Sequence, residues 1–401
     1  MRRIVIALLA ALAAIGTILG GSAAPVKADV SAGSSTLMRG LSGVSCVSAT
    51  FCMAVGNLGD RAHPARGDVP LAMAWNGARW RQFATPLPNP WPEGQLDSVS
   101  CVSASYCVAV GEYGKGEYNY PLAETWNGGA WTATKLPRPA GRFYYAAGAV
   151  SCAVARTCLA AVIIDPAPTG PALAETLRGT TWTLRHVPLP KGGLGGSFVG
   201  VSCVAATYCV LAGGYGTKSA ASVLFESWNG KTFTPMKADA RLSAGPIPAM
   251  QGVSCHSANA CTAVANQFTS GPFSVQPVAA QWNGKVWSLA RVAGPKGFQS
   301  QLFGVSCAAA AHCVAAGVSS TNGAEETSHA LAMSYDGRSW TTGNVPALPH
   351  GGTAQFQAVS CVSATDCVAV GEGGGPNGTL FSSAALTAFW NGTSWKLVLA
   401  S

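Results

Sequence analysis

The chain has 401 residues, of which 48% are hydrophobic and only 10% charged, with 48 glycines, 24 prolines, 14 cysteines and a formal net charge of +8. So mild a balance does not fit a nucleic-acid-binding protein, and the Gly, Ala, Ser, Thr and Val content is that of many short strands joined by tight turns.

Residues 1–28 carry a basic start (Arg2, Arg3), an apolar run from Ile4 to Leu19 and the small-residue ending Val26-Lys27-Ala28. This three-part layout reads as a secretory signal peptide cleaved before Asp29. The run is shorter than the ~20 residues a spanning helix needs, and no second one follows. No cysteine follows the run directly, so a lipid anchor has no attachment point there. Removal of the segment takes away Arg2, Arg3 and Lys27 and leaves a secreted or cell-wall-associated protein.

From residue 41 onward one unit recurs. The tract VSCVSATFCMAVG at Val44 returns as VSCVSASYCVAVG at Val99 and VSCVSATDCVAVG at Val359, with looser copies at Val150, Val201, Val253 and Val305. A fixed period of about 50 residues announces a propeller or a solenoid. Each copy has a second landmark about thirty residues on, as in Trp75-Asn76-Gly77-Ala78-Arg79-Trp80 and Trp390-Asn391-Gly392-Thr393-Ser394-Trp395; Trp91 is the one tryptophan of twelve outside it. Asn-Gly between β-rich runs is a strong hairpin signal, because both residues tolerate positive φ.

Four strands per unit follow, in the second copy Leu96 to Cys101, Cys107 to Gly111, Leu122 to Trp126 and Trp131 to Leu136. No stretch after the signal peptide shows a capped helical period. The expected fold is an all-β, seven-bladed β-propeller with four antiparallel strands and one disulfide per blade. Its blades span about 41–95, 96–146, 147–198, 199–248, 249–300, 301–354 and 355–401, after an N-terminal segment, 29–40. The chain begins with a first strand and ends with a fourth, so closure is expected from packing of the first blade on the seventh, with Val30 to Gly40 as an added strap.

All fourteen cysteines form seven Cys-x5-Cys pairs: Cys46 with Cys52, Cys101 with Cys107, Cys152 with Cys158, Cys203 with Cys209, Cys255 with Cys261, Cys307 with Cys313, and Cys361 with Cys367. In an exported chain this spacing reads as disulfides across the turn between first and second strands. Zinc would call for closer pairs or added histidines, and redox catalysis for a single reactive Cys-x-x-Cys. No metal or other cofactor is expected.

Because strands alternate direction, the Cys turns and Asn-Gly turns share one face of the ring. The connections that vary between copies share the other, and irregular loops on a rigid frame are where binding concentrates. The densest group of aromatic and basic residues there is Trp91, Tyr113, Tyr118, Tyr120, Arg138, Arg142, Tyr144 and Tyr145, suited to a sugar or a protein surface; the competing reading is a cover for the end of the sheet stack. Glu124, Glu175 and Glu226 recur at one third-strand position, expected to be a solvated face. Six scattered histidines and the lack of a nucleophile elbow argue against catalysis.

The Ser-Cys-x5-Cys-x-Ala-Val-Gly and Trp-Asn-Gly-x-x-Trp tracts resemble those of exported bacterial repeat propellers of the high-GC Gram-positive type. Ser334-Tyr335-Asp336-Gly337-Arg338-Ser339-Trp340 is distantly similar to the Asp-box of sialidase-like (BNR) propellers, where that turn is structural. The sialidase Arg-Ile-Pro tract is absent, so no catalytic residue carries over. The expected function is non-enzymatic recognition of an extracellular glycan or protein by a monomer. A propeller hydrolase or lyase, which needs two carboxylates or a Tyr and Glu converging at the channel mouth, and a purely structural envelope component are the rivals.

Overall fold

The computed structural model describes residues 37–60, 67–88, 92–115, 118–138, 144–165, 170–242, 248–268, 275–321, 328–348, 352–374 and 384–400. Seven four-stranded antiparallel sheets follow one another in chain order, each built from four consecutive strands. Blade 1 comprises Leu37–Ser48, Phe51–Asp60, Val69–Trp75 and Trp80–Phe83, and blade 7 Ala354–Ser363, Asp366–Gly373, Ala384–Trp390 and Trp395–Ala400. The expected signal peptide lies outside the described residues. So does the expected strap before Leu37; its remainder, Leu37 to Gly40, belongs to the first strand.

The ring closes at its inner strands. In each blade the serine of the Val-Ser-Cys tract accepts a hydrogen bond from the backbone N–H of the next blade's first cysteine. Ser45 takes Cys101, Ser100 takes Cys152, and the series continues at 2.9–3.0 Å until Ser360 takes Cys46. Such an approach needs small residues two positions before each serine. A Cβ on Gly43 would stand 3.0 Å from Ser98 Cα, and one on Gly304 3.1 Å from Ala358 Cα. Packing completes the closure of blade 1 on blade 7, where Leu41, Met73 and Trp80 bury against Val368, Val370 and Ala385 and Trp75 meets Phe389 at 4.7 Å.

All seven disulfides are formed, each between directly opposed residues of the first two strands with Cα atoms 3.9–4.0 Å apart. Closing so short a loop restricts the unfolded chain by about 2.5 kcal/mol in the chain-entropy model.

The Asn-Gly hairpins join third and fourth strands whose facing ends fall where the sequence predicts, at Trp126 and Trp131 in the second blade. Only the glycine takes positive φ, 91° at Gly77, and Trp75 pairs with Trp80 across four intervening residues. Asn76 Oδ1 accepts the N–H groups of Ala78 and Arg79, so the asparagine closes the turn as an acceptor. The first tryptophan then ties the two turns of its face together, Trp75 Nε1 donating to Ala49 O at 3.2 Å and Trp390 Nε1 to Ala364 O at 3.1 Å.

Replacing Ser360 by Ala leaves the half-buried Cys46 N–H without its acceptor, and is expected to cost about 1 kcal/mol. Urea unfolding measures this; an unchanged midpoint would show that side-chain packing alone closes the ring.

Candidate functional site

A central channel of about 1170 Å³ runs between the seven first strands. Every first strand carries a β-bulge at the same place, and the extra residue lines the channel: Ser42, Asp97, Gly148, Val199, Gln251, Phe303 and Gln357. A bulge re-aims a side chain while the ladder continues on either side. The bulge also explains the glycine ending Ala-Val-Gly. A Cβ on Gly56 would meet the Gly40 carbonyl oxygen at 1.9 Å, and Gly111 and Gly371 stand equally close to the Gln95 and Gln355 carbonyls.

One level toward the loop face, polar residues gather on blades 7, 1 and 2. Gln95 pairs across the strands with Glu112, Gly40 with Asn57, and Gln355 with Glu372. Gln95 Nε2 donates to Asp97 Oδ1 at 3.1 Å and to Glu112 Oε1 at 3.3 Å. Glu112 Oε2 also accepts from Asn119 Nδ2 at 3.2 Å and from the Tyr144 hydroxyl at 2.6 Å. Gln355 Nε2 donates to Glu372 Oε1, and Asn57 Nδ2 to Asp68 Oδ2 at 2.6 Å. The other blades supply apolar Ile163, Val199, Val275, Phe303 and Val318 together with uncharged polar Gln251, Gln299, Gln301, Ser320 and Ser328. Among the described lining residues the channel therefore has an acidic wall and an uncharged one of mixed apolar and amide character.

Burial sets the charge state of the polar wall. It pushes the Asp97 carboxyl well above its ordinary range, and the neighbouring Glu112 charge pushes it further. Burial raises Glu112 against the hydrogen bonds from Tyr144 and Asn119, and raises Glu372 against the one from Gln355. Tyr144 is pushed upward by burial and then by the Glu112 charge, so its phenol stays a hydrogen-bond donor. Among the described lining residues there is no Lys, Arg or His, and among the described residues no group of three potential metal ligands converges.

The aromatic group expected from the sequence is divided by the fold. Tyr144 is 40% exposed and joins the polar wall. Tyr113 is buried against Tyr120, whose ring lies 5.1 Å beneath the Arg138 guanidinium. Tyr145 is fully buried and donates to Glu175 Oε1 at 2.8 Å. Tyr118 begins the third strand of blade 2, and Trp91 and Arg142 lie outside the described residues. Much of the expected loop between Gly111 and Pro121 is strand, Tyr106–Lys115 pairing with Tyr118–Trp126. Asp97, Glu112, Glu372, Gln95 and Gln355 did not stand out by residue type. Their signal is positional: Asp97 is the bulge residue three before the serine of Val-Ser-Cys, Gln95 and Gln355 stand two residues before the bulge, and Glu112 and Glu372 follow Ala-Val-Gly.

Glu124, Glu175 and Glu226 correct a further expectation: all three are fully buried. Both faces of a blade pack on neighbours, so the third strand has no solvated side. Met73, Met333 and Ala388 occupy the same position in other blades, equally buried. The carboxyl oxygens of Glu124 and Glu226 have no hydrogen-bond partner, and burial pushes all three carboxyls up to about 8.

These features define a seven-bladed, disulfide-bonded propeller with an amphipathic channel mouth. No protein-family model matches the chain, nor does any curated protein. Among solved structures it is similar to a polysaccharide lyase, a PL25 ulvan lyase bound to -[GlcA(1-4)Rha3S]-, with TM-score 0.55 at 8% identity over 96% of both chains. It also matches YCF48 bound to D1 peptide, with TM-score 0.49 at 13% identity over 93% of this chain and 99% of that one. The six-bladed fucose-recognising Aleuria aurantia lectin gives 0.43 at 10% over 92% and 96%. At these identities the likeness is one of fold.

The buried glutamates set a pH dependence. The unfolded chain releases their protons near the ordinary value of 4.5 and the folded chain near 8. Their contribution is therefore most favourable on the acid side and is lost as pH rises between those values, by on the order of a few kcal/mol for each residue. The melting temperature is expected to fall from about pH 5 to about pH 9, and to fall less in Glu124→Gln and Glu226→Gln. Parallel curves for wild type and variants would contradict these protonation states.

Proposed function

We propose that this is a secreted carbohydrate-binding module whose ligand enters the loop-face mouth of the channel. The observation that carries the reading is the division of the mouth into two walls. A sugar presents hydroxyl edges and apolar C–H faces. The wall of blades 7, 1 and 2 offers carboxyl, amide and phenol groups for the first, and the wall containing Phe303 and Val318 offers contact for the second. Ligand sites commonly combine a largely apolar lining with a few fixed polar groups. Among the described residues the acidic wall carries no cation, which favours a neutral or amine-bearing sugar over a uronate or sulfated one, whose charge would meet Asp97, Glu112 and Glu372 unpaired. Seven disulfides suit the oxidising compartment that secretion would bring, and a monomer suffices because one ring completes the mouth.

A glycan array followed by titration calorimetry tests this. Neutral or amino sugars are expected to bind, with Glu112→Gln/Glu372→Gln weakening affinity by about tenfold or more and Tyr144→Phe by a few-fold. Absence of any glycan ligand, or variants that bind as wild type does, would overturn the proposal.

A second reading, a glycoside-cleaving enzyme, draws on one observation. Asp97 and Glu112 share the Gln95 donor, so the two bonded oxygens lie closer than the ~6.5 Å at which inverting carboxylate pairs begin, and Tyr144 abuts the same group. Asp97, whose proton is held more firmly, would serve as the acid and Glu112 as the nucleophile. Reducing-end release from the bound glycan, abolished in Asp97→Asn, would establish turnover; binding without release would leave the module reading.

A further inference from the structure

The face opposite the mouth, carrying the disulfide turns and hairpins, has a charge distribution of its own. Exposed cations stand at its turns, Arg79 on blade 1, Arg156 and Arg178 on blade 3, Lys231 on blade 4, Lys285 on blade 5 and Arg338 on blade 6. The carboxylates at these turns are Asp336, whose Oδ1 is engaged by the N–H groups of Arg338 and Ser339, and Asp366 on blade 7. Five of the six cations thus form an arc over four consecutive blades, with Arg79 apart from it on blade 1.

Three of them are drawn together. Arg178 takes the place that asparagine or aspartate holds in the other hairpins. Its Nη2 donates to the Gly230 carbonyl at 3.2 Å, beside Lys231 of the next blade. That contact uses one of the five guanidinium donors and leaves the others for a ligand. The Gly179 N–H donates to the Arg156 carbonyl at 2.9 Å, which holds the Arg156 turn against the same hairpin. Arg156 is also the one described non-glycine residue with positive φ, 61°. An arginine with positive φ is a local cost at a turn that other blades fill with Thr, Ser, Asn or Ala; the Tyr106 hydroxyl bonds its backbone, a contact that does not call for the guanidinium.

We infer that this arc binds a linear phosphodiester polymer, with Arg156, Arg178 and Lys231 as its principal contact and Lys285 and Arg338 extending the track. Arginine pairs with phosphate through two parallel hydrogen bonds, and single cations spaced along an arc match a chain of single negative charges. A bilayer fits less well. Surface-bound proteins add an inserted apolar element to their charge, and the large hydrophobic residues exposed at these turns are Val154 and Val362.

The experiment titrates the purified protein with polyglycerol phosphate and, separately, with phosphatidylglycerol vesicles. Binding to the polymer is expected to weaken with salt, and Arg178→Gln/Lys231→Gln to lower the affinity by about tenfold and flatten the salt dependence. Lys231→Arg should bind as wild type does, and thermal melting of each variant controls for folding. Failure of the wild type to bind the polymer, an unchanged double variant, or binding to vesicles alone would overturn the inference. Sugar binding at the channel mouth should be unaffected in the double variant, which separates this surface from that one.

Discussion

The architecture depends on how closely the seven first strands approach the ring axis. Each donates a cysteine N–H to the serine of its neighbour, and that reach brings adjacent backbones within about a side-chain radius. Glycine, serine or alanine must therefore occupy the contact, as at Gly43, Ser98 and Gly304. One strand position earlier the bulge inserts its extra residue, and that residue lines the channel. Ring closure and the composition of the channel wall are thus set within three residues of each other in every blade.

The disulfides and tryptophans serve the same ring from outside the axis. The cysteine bridge locks the first two strands in register, and the hairpin tryptophan fastens the third strand to the turn the bridge encloses, as Trp126 Nε1 does at Ala104 O. These restraints all lie on one face. Connections on the other face are free to vary in length, and there the polar wall receives Asp68 from a connection and Asn119 and Tyr144 from strand ends.

The fold was legible because each blade repeats its own framework. Cys-x5-Cys and Trp-Asn-Gly-x-x-Trp specify strand ends by chemistry that does not depend on distant context. The site was less legible for a physical reason. Tyr113 and Tyr145 resemble ligand-binding aromatics in a linear reading, yet their strand phase turns them into the interfaces between blades. Glu124, Glu175 and Glu226 were misjudged by the same omission, since an alternating strand in a single sheet has a wet side and a propeller blade has none. Asp97 and Glu112 flank the framework tract Val99 to Gly111 as single acids, and only comparison between copies marks their positions as variable.

That comparison separates two kinds of variation. At the third-strand position of Met73, Glu124 and Ala388 every residue is buried, so a change there alters packing or leaves a carboxyl without a partner, and its effect falls on stability. At the bulge position of Ser42, Asp97, Phe303 and Gln357 the side chain faces the channel while the closing hydrogen bond is made by backbone and by the serine three residues on. A change there leaves closure intact and alters what the channel presents. Seven copies of one stable unit carry six residue types at this one position, and the acidic and uncharged walls are the outcome of choosing lining residues independently on a ring whose closure does not depend on the choice.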